Sequence, residues 1–254
     1  MPIIRIVLVT LVLLGSASGW ATTRVELFTP YDFAPFVMDR AAQKGLIYDF
    51  QRELNRRGRG RYEFRLETVP RVPTERLLKM TQSAIVPFVA KDWFDDTDAA
   101  KFDWTRSQME DANVIVSHRS KPLDSLESGK IRGKVVVITS GLRRDPDVEK
   151  LILDSVVSVH TATDFSLCLL MVARKRADFF VAGHFMVNYL IKQQHLEDQL
   201  YVSPKPLRVI ERKTLVSPKG HPALLDWLNE QILDMEKSPD WQKLMAQFNA
   251  NLAR

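Results

Sequence analysis

Residues 25–36 read VELFTPYDFAPF, a strand pattern that runs directly into an aromatic loop. The first five residues, Val25 to Thr29, are mostly strand formers, and the proline at position 30 ends the pattern. The loop that follows carries Tyr31, Phe33 and a second proline, a composition typical of turns. The segment therefore predicts a first strand and an aromatic loop at its end.

Beyond this loop, helical and extended patterns alternate to the C terminus, which favours an α/β fold over a helical bundle or a β-sandwich. The first helix is predicted from apolar residues at helical spacing, and the glycines at 58 and 60 end it. Thr161 and Asp164 match a capping box for a helix that runs to about Arg176. Further helices are predicted at 74–82, 146–153, 185–194 and after Pro222 and Pro239, and further strands at 62–66, 84–90, 113–117, 134–139, 177–182, 200–202 and 213–217.

The N terminus has the three parts of an export signal. Arg5 supplies a positive charge, residues 6–14 form an apolar run, and mostly small residues lead to Ala21. The apolar run is shorter than the roughly 20 residues that a membrane span needs. We therefore predict a signal peptide over residues 1–21, cleaved after Ala21 or Gly19. Because Cys168 is the only cysteine, no lipid anchor or internal disulfide is expected, and the mature protein is predicted to be a soluble periplasmic monomer.

Composition and motifs argue against several function classes. Removal of Arg5 lowers the 36 Lys and Arg residues to 35 against 31 Asp and Glu, and a net charge of +4 does not indicate nucleic-acid binding. The five histidines are scattered without metal-ligand spacing, and no nucleophile elbow, phosphate loop or dinucleotide motif is present. No metal, cofactor or catalytic residue is therefore predicted. A cleft enzyme that uses carboxylates stays open, because four acids lie close together: Asp92, Asp95, Asp96 and Asp98.

Six segments, in order, resemble the family 3 extracellular solute-binding proteins. They lie at residues 31–36, 45–50, 102–105, 131–141, 174–178 and 212–222, and together they span nearly all of the mature chain. The resemblance implies an α/β, two-lobed type II periplasmic binding protein fold with two hinge crossover strands. Lobe 1 would comprise residues 22–117 plus 210–254, and lobe 2 residues 118–209.

The same resemblance implies a function. Proteins of this family capture a small molecule between the lobes, and closure about the hinge traps it. Most serve ABC importers, so a small-molecule solute and an inner-membrane permease are the expected partners. A periplasmic sensor that reports to a membrane receptor is the alternative, because both functions use the same closure.

The chain departs from the family at both charges that hold an amino-acid ligand. Where the family places an arginine for the ligand carboxylate, this chain has Asp98, which cannot form the bidentate pair that an arginine forms. Where the family places an aspartate for the ligand ammonium group, the chain has Gly183. We therefore predict that the ligand is not an ordinary α-amino acid.

Aromatic and polar loop residues remain as ligand candidates. Aromatic rings in loops suit a stacking pocket, although a core position is the alternative for Trp104. The loop after the strand at 134–139 precedes a helix and suits an anion, with a solvated loop as the alternative. A histidine at a helix start can face the cleft or be bonded locally. The candidate ligand-binding residues are Tyr31, Phe33, Trp93, Trp104, Ser140, Gly141, Arg143 and His184.

Overall fold

Strands and helices alternate along the described part of the chain, as the sequence predicts. The computed structural model describes residues 22–69, 83–94, 96–141, 144–217 and 222–248, and the predicted signal peptide and the helix predicted at 74–82 lie outside these ranges. The strands are β1 (Thr23–Thr29), β2 (Tyr62–Thr68), β3 (Ala84–Ala90), β4 (Asp103–Trp104), β5 (Met109–His118), β6 (Val135–Thr139), β7 (Ser158–Ala162), β8 (Phe179–Gly183), β9 (Leu200–Val202) and β10 (Arg208–Val216). The helices are α1 (Leu46–Arg57), α2 (Asp96–Ala99), α3 (Ser128–Ile131), α4 (Pro146–Leu153), α5 (Phe165–Ala173), α6 (His184–Gln193), α7 (Pro222–Lys237) and α8 (Pro239–Gln247), and a 3₁₀ turn covers Lys91–Trp93.

Side-chain caps begin two of these helices. Asp145 accepts a hydrogen bond from the backbone N–H of Asp147, and Pro146 is the first residue of α4, as predicted. Asp164 caps α5 by accepting from the backbone N–H of Leu167 at 2.8 Å. The capping box led by Thr161 is wrong, because Thr161 lies in β7 and pairs with β6.

All ten strands belong to one sheet, in the order β2-β1-β3-β10-β5-β8-β6-β7, with β4 beside β10 and β9 beside β5. Strand β1 is parallel to β2 and β3, and we call these three strands half-sheet 1. Strand β6 is parallel to β7 and β8, which together form half-sheet 2. Between the half-sheets lie β10 and β5, which are antiparallel to each other and to β3 and β8 respectively.

Strands β5 and β10 each cross from one half-sheet to the other. Their mutual pairing runs from Met109 opposite Arg212 to Asn113 opposite Arg208. Both strands begin earlier than the predicted residues 113 and 213. The prediction missed these first residues because charged side chains interrupt the apolar pattern where the two strands pair. The crossing supports the two-lobed architecture, while the exact lobe limits, 22–117 plus 210–254 and 118–209, stay a prediction.

Each half-sheet packs against helices and forms its own hydrophobic cores with them. Around half-sheet 1, one face of α1 packs against β1, β2 and the C-terminal helix α7, with Leu27, Phe50 and Leu228 fully buried. Around half-sheet 2, α5 and α6 cover the strands with buried residues such as Leu169 and Val187. A side chain of this size that is fully buried contributes about 1.5–3 kcal/mol to folding. Among the described helices, none is long and apolar enough to cross a bilayer.

Candidate ligand-binding site

The carboxyl ends of the two half-sheets face each other across the crossover strands. Strand β3 ends at Ala90, which pairs with Arg212, and β8 ends at Gly183, which pairs with Asn113. The loops after these ends therefore converge on the short segment where β5 and β10 pair with each other. Loops at the carboxyl ends of strands are where α/β proteins bind ligands.

A buried ion pair occupies the centre of this region. Arg212 of β10 donates from Nη2 and Nε to Oδ2 of Asp111 on β5, at 2.6 and 3.0 Å. The side chains are 6% and 0% exposed. Removing two charges from water is costly, so a buried pair persists only where the remaining hydrogen-bonding groups are also satisfied.

Groups from both lobes complete the hydrogen bonding of the pair. Nη1 of Arg212 donates to the hydroxyl of Tyr31 at 3.0 Å and to the carbonyl of Phe88 at 3.1 Å. Oδ1 of Asp111 accepts from the backbone N–H of Phe185, in the first turn of α6, at 3.0 Å. The ion pair thus connects the loop after β1 and strand β3 on one side to helix α6 on the other.

Two aromatic rings flank the Arg212 guanidinium. Its central carbon lies 5.2 Å from the ring centre of Phe36 and 5.0 Å from that of Trp93. A cation over an aromatic ring gains about 0.5–2 kcal/mol, with the larger values where water is excluded. The Tyr31 ring stacks on Phe36 with centres 4.0 Å apart, so the same aromatic group also positions the Tyr31 hydroxyl.

Backbone strain at Phe88 positions one of these acceptors. Phe88 has a φ of 60°, in the left-handed region that a bulky residue rarely adopts. Its carbonyl accepts from the Tyr31 hydroxyl at 2.6 Å as well as from Arg212. Such strain costs on the order of 1–3 kcal/mol and clusters at functional sites, where the surrounding contacts hold it.

Burial and charge shift the pKa values of two groups here. Burial raises the pKa of the Tyr31 phenol to about 12, and the nearby Arg212 charge only partly opposes this. Burial lowers the pKa of Arg212, but the charges and hydrogen bonds of Tyr31 and Asp111 outweigh it, so the net shift is upward. At neutral pH the site therefore contains a protonated guanidinium and a neutral phenol.

Solved structures of binding proteins share this architecture. A structure from a study of glutathione import via GshT and the cystine ABC importer TcyBC of Streptococcus mutans has a TM-score of 0.69 at 15% identity, covering 89% of this chain and 95% of that one. A histidine kinase sensor domain with similarity to periplasmic binding proteins has a TM-score of 0.64 at 16% identity, covering 91% and 96%. The ancestral amino acid-binding protein AncCDT-1, a precursor of cyclohexadienyl dehydratase, has a TM-score of 0.63 at 17% identity, covering 89% and 94%. No family model and no curated protein matches the sequence.

The chain has the type II periplasmic binding protein fold. In this fold the half-sheets are the cores of the two lobes, and β5 and β10 are the two crossover strands predicted from the sequence. The ion pair Asp111–Arg212 links these two strands to each other close to the point where the chain passes between the lobes.

Both departures from the binding-protein family can be located. A Cβ atom on Gly183 would lie 2.8 Å from Oδ2 of Asp111 and 3.2 Å from Nη2 of Arg212. The absence of a side chain at 183 is therefore what allows the ion pair to occupy this position. Asp98 lies in α2, and its carboxylate binds Nζ of Lys101 at 2.5 Å.

Three of the aromatic candidates lie at the site. Tyr31 is buried and bonded to Arg212, and Trp93 lies beside the Arg212 guanidinium. Phe33 packs against the cores of both lobes, and its ring centre is 4.7 Å from that of Phe165 at the start of α5. Trp104 instead belongs to a lobe 1 core, where its Nε1 donates to the carbonyl of Ala99 at 2.9 Å.

The polar candidates lie at the ends of half-sheet 2. Ser140 follows β6, with its backbone N–H bonded to Ala162, and Gly141 has a φ of 74°. His184 begins α6, and its Nε2 is 2.8 Å from Nδ2 of Asn188. Arg143 lies outside the described residues. The ligand roles of all eight candidates stay predictions.

The neighbouring start of α4 favours the solvated-loop alternative over an anion site. The carboxylate of Asp145 already caps this helix start and also accepts from Nδ2 of Asn113 at 2.7 Å. Arg144 is paired with Glu149. A second carboxylate or phosphate would meet the Asp145 charge at this point.

The most prominent site residues, Asp111 and Arg212, were not predicted. Each lies at a buried position of its strand, two residues after the apolar residue Met109 or Ile210 on the same face. A charged residue at a buried strand position is rare unless it is paired. One such position in each crossover strand, with opposite charges, is the signal that could have identified the pair.

The groups that the metal and carboxylate alternatives would use can be located in part. Among the described residues, no group of three or more His, Cys, Asp or Glu side chains is placed to hold a metal. Of the four neighbouring acids, Asp92 and Asp96 are exposed, Asp98 is paired with Lys101, and Asp95 lies outside the described ranges. Burial raises the pKa of the Cys168 thiol to about 11, which leaves it unreactive at neutral pH.

Proposed function

We propose that this protein captures a small solute between its two lobes. The observation that carries the proposal is the convergence of loops from both half-sheets on the crossover segment, with aromatic side chains on one side and polar groups on the other. Tyr31, Phe33 and Trp93 come from lobe 1, and Ser140 and His184 from lobe 2. Loops that face each other across a hinge of few residues can close around a ligand.

We place the mature protein in the periplasm as the binding component of an ABC importer. The support is the predicted signal peptide over residues 1–21, together with the likeness in fold to a protein studied in glutathione import. The likeness to a histidine kinase sensor domain supports the alternative, a sensor that reports to a membrane receptor. The two differ in the membrane partner and share the solute site.

Binding rather than catalysis is the function that the site residues support. Catalysis needs a group within reach of a reacting atom, such as an acid or base with a suitable pKa. The likeness in fold to an ancestral amino acid-binding protein that is a precursor of cyclohexadienyl dehydratase keeps a cleft enzyme as the alternative. In this chain, however, the buried acid Asp111 is fully engaged by Arg212 and by backbone N–H groups.

A thermal-shift screen of ligand-stripped protein tests the proposal. The panel comprises the twenty common amino acids together with aromatic, cationic and organic-acid solutes. A solute at about 100 times its dissociation constant stabilises the fold by about 2.7 kcal/mol, a shift of roughly 5–10 °C for a chain of this size. At least one solute other than an ordinary α-amino acid is expected to give this shift. Stabilisation by glutamate, glutamine, arginine or histidine alone would instead show that the cleft retains an amino-acid clamp.

A further inference from the structure

We propose that the guanidinium group of Arg212 is an internal ligand of the cleft: it fills a site for a planar cation formed by Asp111, the segment after β1 and strand β3, and lobe 2 reaches this site through the hydrogen bond from the Phe185 N–H to Asp111. The inference deepens the proposed function, because it assigns the centre of the cleft and the class of group that is kept out of it. It accounts for Gly183 at the position where the binding proteins place an aspartate for the ligand, because a side chain there would overlap with the Asp111–Arg212 pair.

The surroundings of Arg212 are those of a bound cation rather than of a simple ion pair between strands. Asp111 alone would be enough to link β10 to β5. Instead, acceptors and rings from three further segments converge on the same group: the Tyr31 hydroxyl and the Phe36 ring after β1, the Phe88 carbonyl of β3, and the Trp93 ring after it. The left-handed φ of Phe88 places its carbonyl at this position at a cost in backbone strain.

The hydrogen-bonding capacity of the pair is nearly exhausted. Of the five N–H donors of a guanidinium, four on Arg212 have acceptors among the described residues, two on Asp111, one on Tyr31 and one on Phe88. Asp111 accepts two of these bonds and two more from the backbone N–H groups of Ala112 and Phe185. A carboxylate accepts about four hydrogen bonds, so Asp111 has none left for a ligand ammonium.

Gly183 provides the space for this arrangement. The Cβ of any larger residue would lie 2.8 Å from the Asp111 carboxylate. The helix that begins at His184 can therefore approach closely enough for the Phe185 N–H to bind Asp111. The lobe 2 side of the cleft thus contacts the internal cation through Asp111, as it would contact a separate ligand.

The Arg212 guanidinium limits which solutes can bind in the cleft. With Arg212 in place, a solute cannot insert a guanidinium or ammonium group at the centre of the cleft. The solute of the natural protein is therefore one that needs no cation subsite there and binds beside the aromatic rings. Removal of the Arg212 side chain should create a vacant site for a small guanidinium.

Chemical rescue of the Arg212→Ala variant tests the inference, with methylguanidinium as the probe at millimolar concentration. The variant is expected to melt at a lower temperature than the natural protein and to be stabilised by about 4 °C at ten times the dissociation constant of the probe. The natural protein and the double variant Asp111→Asn/Arg212→Ala should show no stabilisation, because the site is filled in one and lacks its carboxylate in the other. Methylammonium, which lacks the planar fork, should stabilise Arg212→Ala much less.

The test also applies if the Arg212→Ala variant is unstable. If Arg212→Ala does not fold alone, its soluble yield is compared with and without methylguanidinium, and recovery only with the probe supports the proposal. Equal responses of Arg212→Ala and the double variant, or no response of either, would overturn it. The rescue experiment tests only the internal cation. If the rescue succeeds and the solute screen finds no ligand, the proposed function is rejected and this inference stands.

Discussion

Nη2 of Arg212 lies 2.6 Å from Oδ2 of Asp111, although the two residues are separated by 101 positions in the sequence. The residues sit on the two crossover strands, so the contact links these strands to each other near the connection between the lobes. Both side chains are almost completely removed from water. Loss of one partner leaves the other charge buried and unpaired. The free-energy cost of this is much larger than the net contribution of the intact pair to stability.

The substitution Asp111→Asn should therefore destabilise the protein strongly. We expect a loss of about 3–5 kcal/mol in the free energy of unfolding, because the Arg212 guanidinium stays buried without its counter-charge. Urea unfolding followed by circular dichroism measures this loss. The exposed pair Lys150–Asp154 provides the control, and Lys150→Gln should leave the unfolding midpoint unchanged. Equal free energies of unfolding for the two variants would show that the buried pair contributes no more to stability than an exposed pair does.

Gly183→Ala should destabilise the protein through steric overlap. The new methyl group would lie 2.8 Å from the Asp111 carboxylate, and overpacking of this kind costs about 1–3 kcal/mol. Gly129→Ala is the matched control, since a Cβ at Gly129 in α3 would have no atom within 4 Å. The control should leave the free energy of unfolding unchanged or raise it by up to about 1 kcal/mol, because alanine is the better helix former. A neutral Gly183→Ala would mean that Asp111 and α6 can separate without cost.

Tyr31 should make the protein sensitive to alkaline pH. Burial raises the pKa of Tyr31 from 10.0 to about 12, so between these values the unfolded chain loses the phenol proton while the folded chain keeps it. Stability contributed by the neutral phenol is full below about pH 10 and is lost as the pH rises through 12, a change of about 3 kcal/mol. Tyr31→Phe lacks this dependence. At pH 7 it should be less stable by about 1 kcal/mol, because the bond to the Phe88 carbonyl is missing.

Unfolding measured at pH 7 and again between pH 10 and 12 makes the comparison. The stability advantage of the natural protein over Tyr31→Phe, about 1 kcal/mol at pH 7, should fall to zero and then reverse across the alkaline range, because the loss of about 3 kcal/mol exceeds it. A constant difference would contradict the placement of the Tyr31 hydroxyl in a dry, bonded environment.

The two tryptophans near the cleft should behave differently on substitution. Trp93→Ala removes a ring beside Arg212 and should weaken binding of the solute about tenfold, the equivalent of one aromatic contact. Trp104→Ala removes a ring from a lobe 1 core, so it should lower the melting temperature and leave the dissociation constant unchanged. Titration of each variant with the solute found by screening separates the effects. Equal losses of affinity would place Trp104 at the site as well.

The sequence predicted the parts of this structure that depend on local chemistry. The apolar face of α1, the start of α4 at Pro146 and the strand at Ala84–Ala90 follow from spacing, capping and strand formers. The loop aromatics Tyr31 and Trp93 were predicted as ligand residues because aromatic rings in loops suit a stacking pocket, and that role stays a prediction. The resemblance to binding proteins supplied the crossover strands, which local patterns do not reveal.

What the sequence did not reveal depends on distant contacts. Charged residues interrupt the first halves of β5 and β10, and the strand conformation there is stabilised by pairing between segments about 100 residues apart. Asp111 and Arg212 resemble surface residues until that pairing brings them together. Gly183 was noted as a missing aspartate, but only the packing shows that its position is filled by the Asp111 carboxylate.

Hydrogen exchange with and without the solute found by screening tests the central claim most directly, because a solute held between the lobes must protect both of them. We expect slower exchange of backbone amides in residues 31–37 and 91–94 of lobe 1 and, at the same solute concentration, in residues 183–188 of lobe 2. Trp104→Ala should show the same pattern as the natural protein. Protection confined to one lobe, or located away from these three segments, would contradict a solute site between the lobes.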